Sequence, residues 1–179
     1  MPSVDPLPHF ANGVTLRRLT AADLVAFQGY RHDREVGQYQ GWSATPDAEA
    51  IAFLTEMSTV ALFEPGKWCQ IGISESGNLC LIGDIGLYLS HDGHHAEIGF
   101  TLRHQSQGLG LGTTAVREAI KLVFAHTGVD RVLGITDERN APSIRLLERV
   151  GMRSGEARSA TFRGEPCVEH VYVISRHDG

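Results

Sequence analysis

The sequence predicts an α+β domain in which helices flank a mixed central sheet. Segments that alternate in hydrophobicity interchange with segments that repeat at helical spacing, in the order β-α-α-β-β-β-α-β-α-β-β. Two pairs of strand-like runs are joined by turn-forming residues at 75–78 and 163–166, as antiparallel hairpins require. A glycine-rich stretch, Gln107-Gly108-Leu109-Gly110-Leu111-Gly112, joins a strand directly to a strongly amphipathic helix. At 179 residues the chain suits one core and one domain. That domain is expected over 13–175, preceded by an N-terminal extension, 1–12.

Residues 14–19 read as the first strand, and Thr20 caps the following helix with Asp23 at its third position. The second helix starts from Thr45, Pro46, Asp47 and Glu49, and carries Ile51, Leu54 and Met57 at helical spacing. Between them lies the aromatic segment Tyr39-Gln40-Gly41-Trp42. Residues 68–74 and 79–89 form a hairpin in which Leu79, Leu81, Ile85, Leu87 and Leu89 share one face. Symmetric pairing about its turn sets Cys69 near Asp84 and Cys80 near Ile73. After the turn at Asp92-Gly93, the strand from Glu97 directs Ile98, Phe100 and Leu102 to one face and Glu97, Gly99 and Thr101 to the other.

The helix from Thr113 bears a stripe of Val116, Ala119, Ile120, Val123 and Phe124, ending near Gly128. That stripe is core. Residues 131–136 form the next strand. Asn140 then caps a helix with Pro142 in its first turn and Gly151 as its stop, and 152–175 form the closing hairpin.

A net charge of −5 argues against general nucleic-acid binding, which rests on a basic footprint. No apolar run approaches the roughly 20 residues that span a bilayer, so no membrane partner is expected. The N-terminus lacks a basic region followed by an apolar stretch, and a cytoplasmic location is expected. Cys69, Cys80 and Cys167 lack paired metal spacing and read as free, buried or half-buried thiols. His91, His94 and His95 with Asp92 imitate a metal site but read as a solvent-facing turn, so no metal is expected.

The first N–H groups of a helix have no intrahelical acceptor and lie at the positive end of its dipole. Glycines there let an anion sit against bare amides, and a phosphate or pyrophosphate is the natural guest. Two phosphate loops fail on spacing. The dinucleotide fingerprint needs G-x-G-x-x-G, whereas the glycines fall at Gly108, Gly110 and Gly112. A P-loop needs Lys after its last glycine, whereas Thr113-Thr114 follows. What remains, Q/R-x-x-G-x-G/A at Gln107, Gly110 and Gly112, resembles the coenzyme A pyrophosphate loop of the GNAT superfamily of N-acetyltransferases.

Other residues carry the same resemblance. Asn140, Ser143, Arg145, Leu146, Leu147, Glu148 and Gly151 resemble the N-x-x-S-x-R-L-L-E-x-x-G pattern of the RimJ/RimL-type subgroup, which acetylates ribosomal protein N-termini. Arg31, Asp33, Glu35, Val36, Tyr39 and Trp42 are similar to the same subgroup's R-x-D-x-E-V…Y-x-x-W region. The likeness covers about 14–175. It implies the acyl-CoA N-acyltransferase fold, in which the strand ending at Leu102 and the strand starting near Arg131 are parallel and splay apart to hold the pantetheine arm. It also implies acetyl-CoA as co-substrate: Gln107, Gly108, Leu109, Gly110, Leu111, Gly112 and Thr113 at the pyrophosphate, the backbone of Phe100, Thr101 and Leu102 at the pantetheine and acyl carbonyl, and Asn140 at the pantetheine arm.

Acetyl transfer to an amine needs the amine unprotonated, and an N-terminal amine near pKa 8 or a lysine near 10.4 is mostly protonated at neutral pH. A general base, directly or through water, is therefore expected. Glu97, on the strand face opposite the core, is the candidate, though it reads also as a solvated strand-end carboxylate. Asp84 and Glu35 are reserves. Many relatives donate to the leaving thiolate from a tyrosine, but Leu147 stands at that position. Ser143 can donate instead, as the subgroup resemblance implies, or it can cap its helix. Glu35, Tyr39, Trp42 and Asp84 are the expected acceptor-side residues, with aromatic packing as the alternative for Tyr39 and Trp42.

The expected function is acyl transfer from acetyl-CoA to a primary amine, by direct attack in a ternary complex. The acceptor could be a protein N-terminus, an aminoglycoside or another small amine, and succinyl-CoA is an alternative donor. The rival is a non-catalytic acyl-CoA sensor or partner-binding module. Beyond the amine, the chain could pair with a second copy of itself as a homodimer.

Overall fold

The computed structural model describes residues 4–178. In chain order the elements are β1 (His9–Phe10), β2 (Val14–Arg18), α1 (Leu24–Arg31), α2 (Arg34–Gly37), α3 (Asp47–Thr59), β3 (Trp68–Glu75), β4 (Leu81–Leu89), β5 (His95–Leu102), α4 (Leu111–His126), β6 (Arg131–Asp137), α5 (Ala141–Arg149), β7 (Arg153–Phe162) and β8 (Glu165–Ser175). The strands form one sheet, ordered β1-β2-β3-β4-β5-β6-β8-β7. Its pairings are antiparallel except β5–β6, which is parallel.

Each face of the sheet is covered because its apolar side chains must be buried. On one face α4 and α5 bury Val116, Ile120, Val123 and Leu147 against Ile71, Ile85, Ile98 and Val132. On the other, α1 and α3 pack Phe27, Tyr30, Leu54 and Met57 around Leu19 and Leu81. The α3 stripe is Ala50, Leu54 and Met57, and Ile51 is exposed. The expected stripe began one position late, which moves a side chain about 100° around a helix.

Three further features depart from expectation. Of the predicted extension, residues 1–3 lie outside the described residues, while His9 and Phe10 pair with Leu16 and Thr15 as an edge strand. A short extra helix, α2, is capped by Asp33, whose carboxylate accepts from the Glu35 and Val36 N–H groups. Thr20 heads a 3-10 turn at Ala21–Asp23 before α1, its N–H held by the Asp23 carboxylate at 2.9 Å.

In the β3–β4 hairpin, Ile73 pairs with Gly83 and Ser74 with Leu81, so Ile82 is an extra residue that inverts the alternation. Ile82 joins the α4-side core, Leu81 turns to the α1–α3 cluster, and Leu79 is 77% exposed. Leu79 and Leu81 therefore do not share the face of Ile85, Leu87 and Leu89. Cys69 pairs with Leu87 and Asp84 with Gly72, because the turn is longer than symmetric pairing assumed. All three cysteines are free, and Cys80 is exposed rather than buried.

The decisive feature lies between β5 and β6. They pair only at His95–Arg131, Ala96–Val132 and Glu97–Leu133. Beyond that rung β5 stays paired with β4 as far as Leu102, and β6 stays paired with β8 as far as Asp137. The strands therefore part into a fork, with the facing backbone edges of 98–102 and 134–137 unpaired with each other.

Candidate active site

Two cavities meet at the fork. A large one, about 690 Å³, is bounded by the end of β5, the glycine loop and the start of α5. A narrow slot of about 100 Å³ enters the fork itself, between Gly99 and Gly134, with Ser143 on the α5 side and Phe162 and Glu169 from the β7–β8 hairpin. Tyr39, Gln40, Asn140 and Ser143 line both.

At the glycine loop, Gly108 (φ 75°) and Gly110 (φ 79°) are left-handed, a conformation that strains side-chain-bearing residues. Gly110 is the N-cap of the 16-residue α4. The N–H groups of its first turn have no intrahelical acceptor, and Gly112 and Thr113 line the large cavity. Gly112 serves packing: a Cβ there would stand 3.1 Å from Leu146 Cδ1. Leu109 is exposed and Leu111 packs against the core, so neither side chain lines the cavity. Gln107 lines it, but its Nε2 donates to the Leu102 carbonyl at 2.9 Å, bracing the loop against β5.

Sequence reasoning missed the charge of this cavity. Arg139, Arg145 and Arg149 line it, the last two one turn apart on α5. Their i, i+4 spacing was the available signal. Arg139 also grips Asp137, with Nη2–Oδ2 at 2.6 Å and Nε–Oδ1 at 2.9 Å. That pairing holds the Asp137 carboxyl below the usual range and raises the arginine's pKa.

At the start of α5, Asn140 Oδ1 accepts the Ser143 N–H at 3.3 Å. Asn140 is therefore the cap, and the Ser143 hydroxyl makes no hydrogen bond within the described residues. Leu147 is fully buried beneath Gly134, where a Cβ would lie 2.8 Å from Leu147 Cδ2. The position of the expected tyrosine is core.

The acidic candidates divide. Asp84 is 0% exposed and saturated: the Tyr30 hydroxyl, Arg31 Nη2 at 2.9 Å and Gln70 Nε2 at 2.6 Å all donate to it. It cannot meet an amine, so its reserve role is withdrawn. Burial and the adjacent Asp84 charge push the Tyr30 hydroxyl well above its ordinary pKa. Glu35 lines the rim of the large cavity rather than the slot, 3.6 Å from His104 Nδ1. Glu97 lines neither cavity. It occupies the last closed rung below the fork, half-buried, with its carboxylate 3.9 Å from His95 Nε2.

The aromatic expectations also separate. Tyr39 lines both cavities, with Arg139 stacked over it at 5.5 Å. Trp42 lines neither: its indole N–H donates to Thr101 Oγ1 at 3.1 Å, and Arg31 lies over its ring at 4.4 Å. Gln40, adjacent to Tyr39, donates to the Phe100 carbonyl at 3.1 Å. Arg163, at the β7–β8 turn, ties the loop down through the Gly37, Gln40 and Trp42 carbonyls at 3.2–3.3 Å. Cys167 also lines the slot, and burial pushes its thiol pKa up.

Elsewhere, at the histidine turn, His94 Nδ1 lies 3.4 Å from Asp130 Oδ2 and His95 Nε2 lies 3.9 Å from Glu97 Oε1. Among the described residues no helix is long and apolar enough to cross a membrane.

The family model described as an acetyltransferase (GNAT) domain matches residues 14–153. The uncharacterized N-acetyltransferase YoaA of Bacillus subtilis is 26% identical over 163 residues, 89% of this chain and 91% of that protein. Among solved structures, a GNAT-family acetyltransferase from Bacillus anthracis superposes with TM-score 0.80 at 19% identity, covering 94% of this chain and 98% of that one. The ribosomal-protein alpha-N-acetyltransferase RimL, in complex with coenzyme A, superposes with TM-score 0.79 at 14% identity, covering 94% and 97%.

Proposed function

The chain belongs to the GNAT acetyltransferase family, and from that premise we propose that it moves an acetyl group from acetyl-CoA to a primary amine by direct attack in a ternary complex. The observation that carries the reading is the fork. β5 and β6 part after Glu97–Leu133, over a cavity rimmed by a helix N-terminus and by Arg145 and Arg149. Unpaired strand edges suit an amide-bearing arm, and bare helical N–H groups with arginines suit phosphates.

In this reading the backbone of Gly108, Leu109, Gly110, Leu111, Gly112 and Thr113 binds the pyrophosphate, with Gln107 holding the loop in place. The edge of Phe100, Thr101 and Leu102 and the Asn140 side chain align the pantetheine arm. The amine nitrogen bonds to the acetyl carbon as the carbon–sulfur bond breaks. The amine's proton passes through water to Glu97, and the Ser143 hydroxyl donates to the departing thiolate. Water is required because Glu97 stands one rung outside the slot.

The N-x-x-S pattern with Leu147, together with the likeness to RimL, supports the RimJ/RimL-type subgroup and a protein N-terminus as acceptor. The test is thiol release from acetyl-, succinyl- and longer-chain CoA with a panel of amines that includes serine-initiated peptides, an aminoglycoside and a polyamine. Amine-dependent release from acetyl-CoA is expected. Coenzyme A binding without turnover of any amine would instead support a sensor.

A further inference from the structure

On the sheet face shared by Glu97, Gly99 and Thr101, two aromatic side chains that no step above uses stand beside Glu97. Trp68 pairs with Tyr88 across β3–β4, and Tyr88 pairs with Glu97 across β4–β5, so the three stand side by side on one face. The Trp68 and Tyr88 rings lie 5.4 Å apart, and Trp68 is 50% exposed. Two residues further along β5, inside the fork, Gly86 pairs with Gly99.

These glycines make a floor. A Cβ on Gly86 would meet Gln70 Oε1 at 3.1 Å and Trp68 Cζ3 at 3.3 Å, so the indole leans over that glycine towards β5 beside the Gln70 carboxamide. A Cβ on Gly99 would meet nothing within 4 Å, and Gly99 lines the slot. The open space above Gly99 thus has Trp68 on its β4 side, Glu97 at one end and the Trp42–Thr101 pair at the other. Its remaining side is the fork, which leads to Ser143.

We propose that Trp68 and Tyr88 form the aromatic wall of the acceptor site, holding a cationic amine against Glu97 above the bare floor of Gly99. The inference rests on the acetyl-transfer reading and deepens it by naming the class of acceptor. An aromatic face and a carboxylate together attract an ammonium group and can pack its carbon chain. The nearby guanidinium of Arg31 does not oppose this, because the buried Asp84 consumes it. The same geometry fits Glu97 lying outside the slot, since the incoming ammonium sheds its proton towards Glu97 through the relaying water before the amine enters the slot.

The test uses the intact protein, with spermidine and a serine-initiated peptide as probes, and compares the parent with Trp68→Ala, Trp68→Phe and Gly99→Val. Calorimetry gives the acetyl-CoA affinity of each. Trp68→Ala is expected to raise the acceptor KM about tenfold with kcat and acetyl-CoA affinity near parental, the size of a lost aromatic–cation contact. Trp68→Phe keeps a ring and restores most of the affinity. A Cβ at Gly99 meets no atom within 4 Å, and the methyls of Gly99→Val fill the floor beyond it, so this variant also raises acceptor KM. Parental acceptor KM in both Trp68→Ala and Gly99→Val, on an active parent, would overturn the wall alone. A parent that acetylates neither probe would overturn the amine-transfer reading for them and the wall with it.

Discussion

Asn140 caps α5 so that Ser143 does not have to: the carboxamide oxygen accepts the Ser143 N–H at 3.3 Å and leaves the serine hydroxyl unengaged at the junction of the two cavities. Ser143→Ala should therefore change stability by no more than about 0.5 kcal/mol, as a substitution that breaks no cap. If the hydroxyl serves the thiolate, turnover falls about tenfold to hundredfold with acetyl-CoA affinity unchanged. Thermal melts and steady-state kinetics on this variant separate the roles. A lowered melting temperature with parental turnover would return Ser143 to structure.

Gly110→Asp places a carboxylate among amides that face the large cavity. The left-handed backbone costs about 1 kcal/mol for a residue other than glycine, so the protein should remain folded. Like charge against a pyrophosphate costs several kcal/mol, so coenzyme A affinity should fall at least about hundredfold. Unchanged affinity by calorimetry would remove the pyrophosphate from this loop.

Glu97→Gln keeps the side chain's shape and removes its basicity. Acetyl transfer near pH 7 should fall by about 10- to 1000-fold with little change in coenzyme A affinity. The deficit should shrink above the amine's own pKa, where free amine is plentiful. Superimposable pH–rate profiles for variant and parent would exclude Glu97 as the proton acceptor.

Asp84→Ala removes the partner of a buried guanidinium. Arg31 then remains buried and uncompensated, and the loss should be about 3–5 kcal/mol in chemical denaturation. The damage should reach the active site, because Arg31 also stacks on Trp42, which hydrogen-bonds Thr101 on β5. A cost below about 1 kcal/mol would show that water replaces the carboxylate.

Asp137 should make the fold acid-sensitive. Its hydrogen bonds from Arg139 depress its folded-state pKa, so its stabilising contribution is complete above the unfolded value, near 3.9, and disappears as pH falls through the folded value. Melting temperature measured from neutral pH down to about 3 should fall less steeply in Asp137→Asn than in the parent. Parallel curves would mean that the pair persists in the unfolded chain or contributes nothing.

The linear pattern already contained most of the elements and the anion-binding end of the site. Strand and helix periods are local, so the glycine loop, the α4 stripe and the Asn140 cap could be read directly. What it obscured came from single-residue offsets. Ile51 in place of Ala50 misassigned one helical face, and the extra residue Ile82 turned Leu81 away from Ile85. Asp84 looked like an available carboxylate because nothing nearby in sequence reveals Tyr30, Arg31 and Gln70 converging on it.

By itself the sequence determined the order of elements, the family resemblance and the residues that can meet a phosphate, because each depends on neighbours within a few positions. Only the tertiary structure decided where β5 and β6 part, that Asp84 is sealed while Glu97 stands at the foot of the fork, and that Trp68 leans over Gly86 beside an open Gly99. Those relations join residues from separate strands through sheet register, and register is set by pairing across the whole sheet rather than by any single strand.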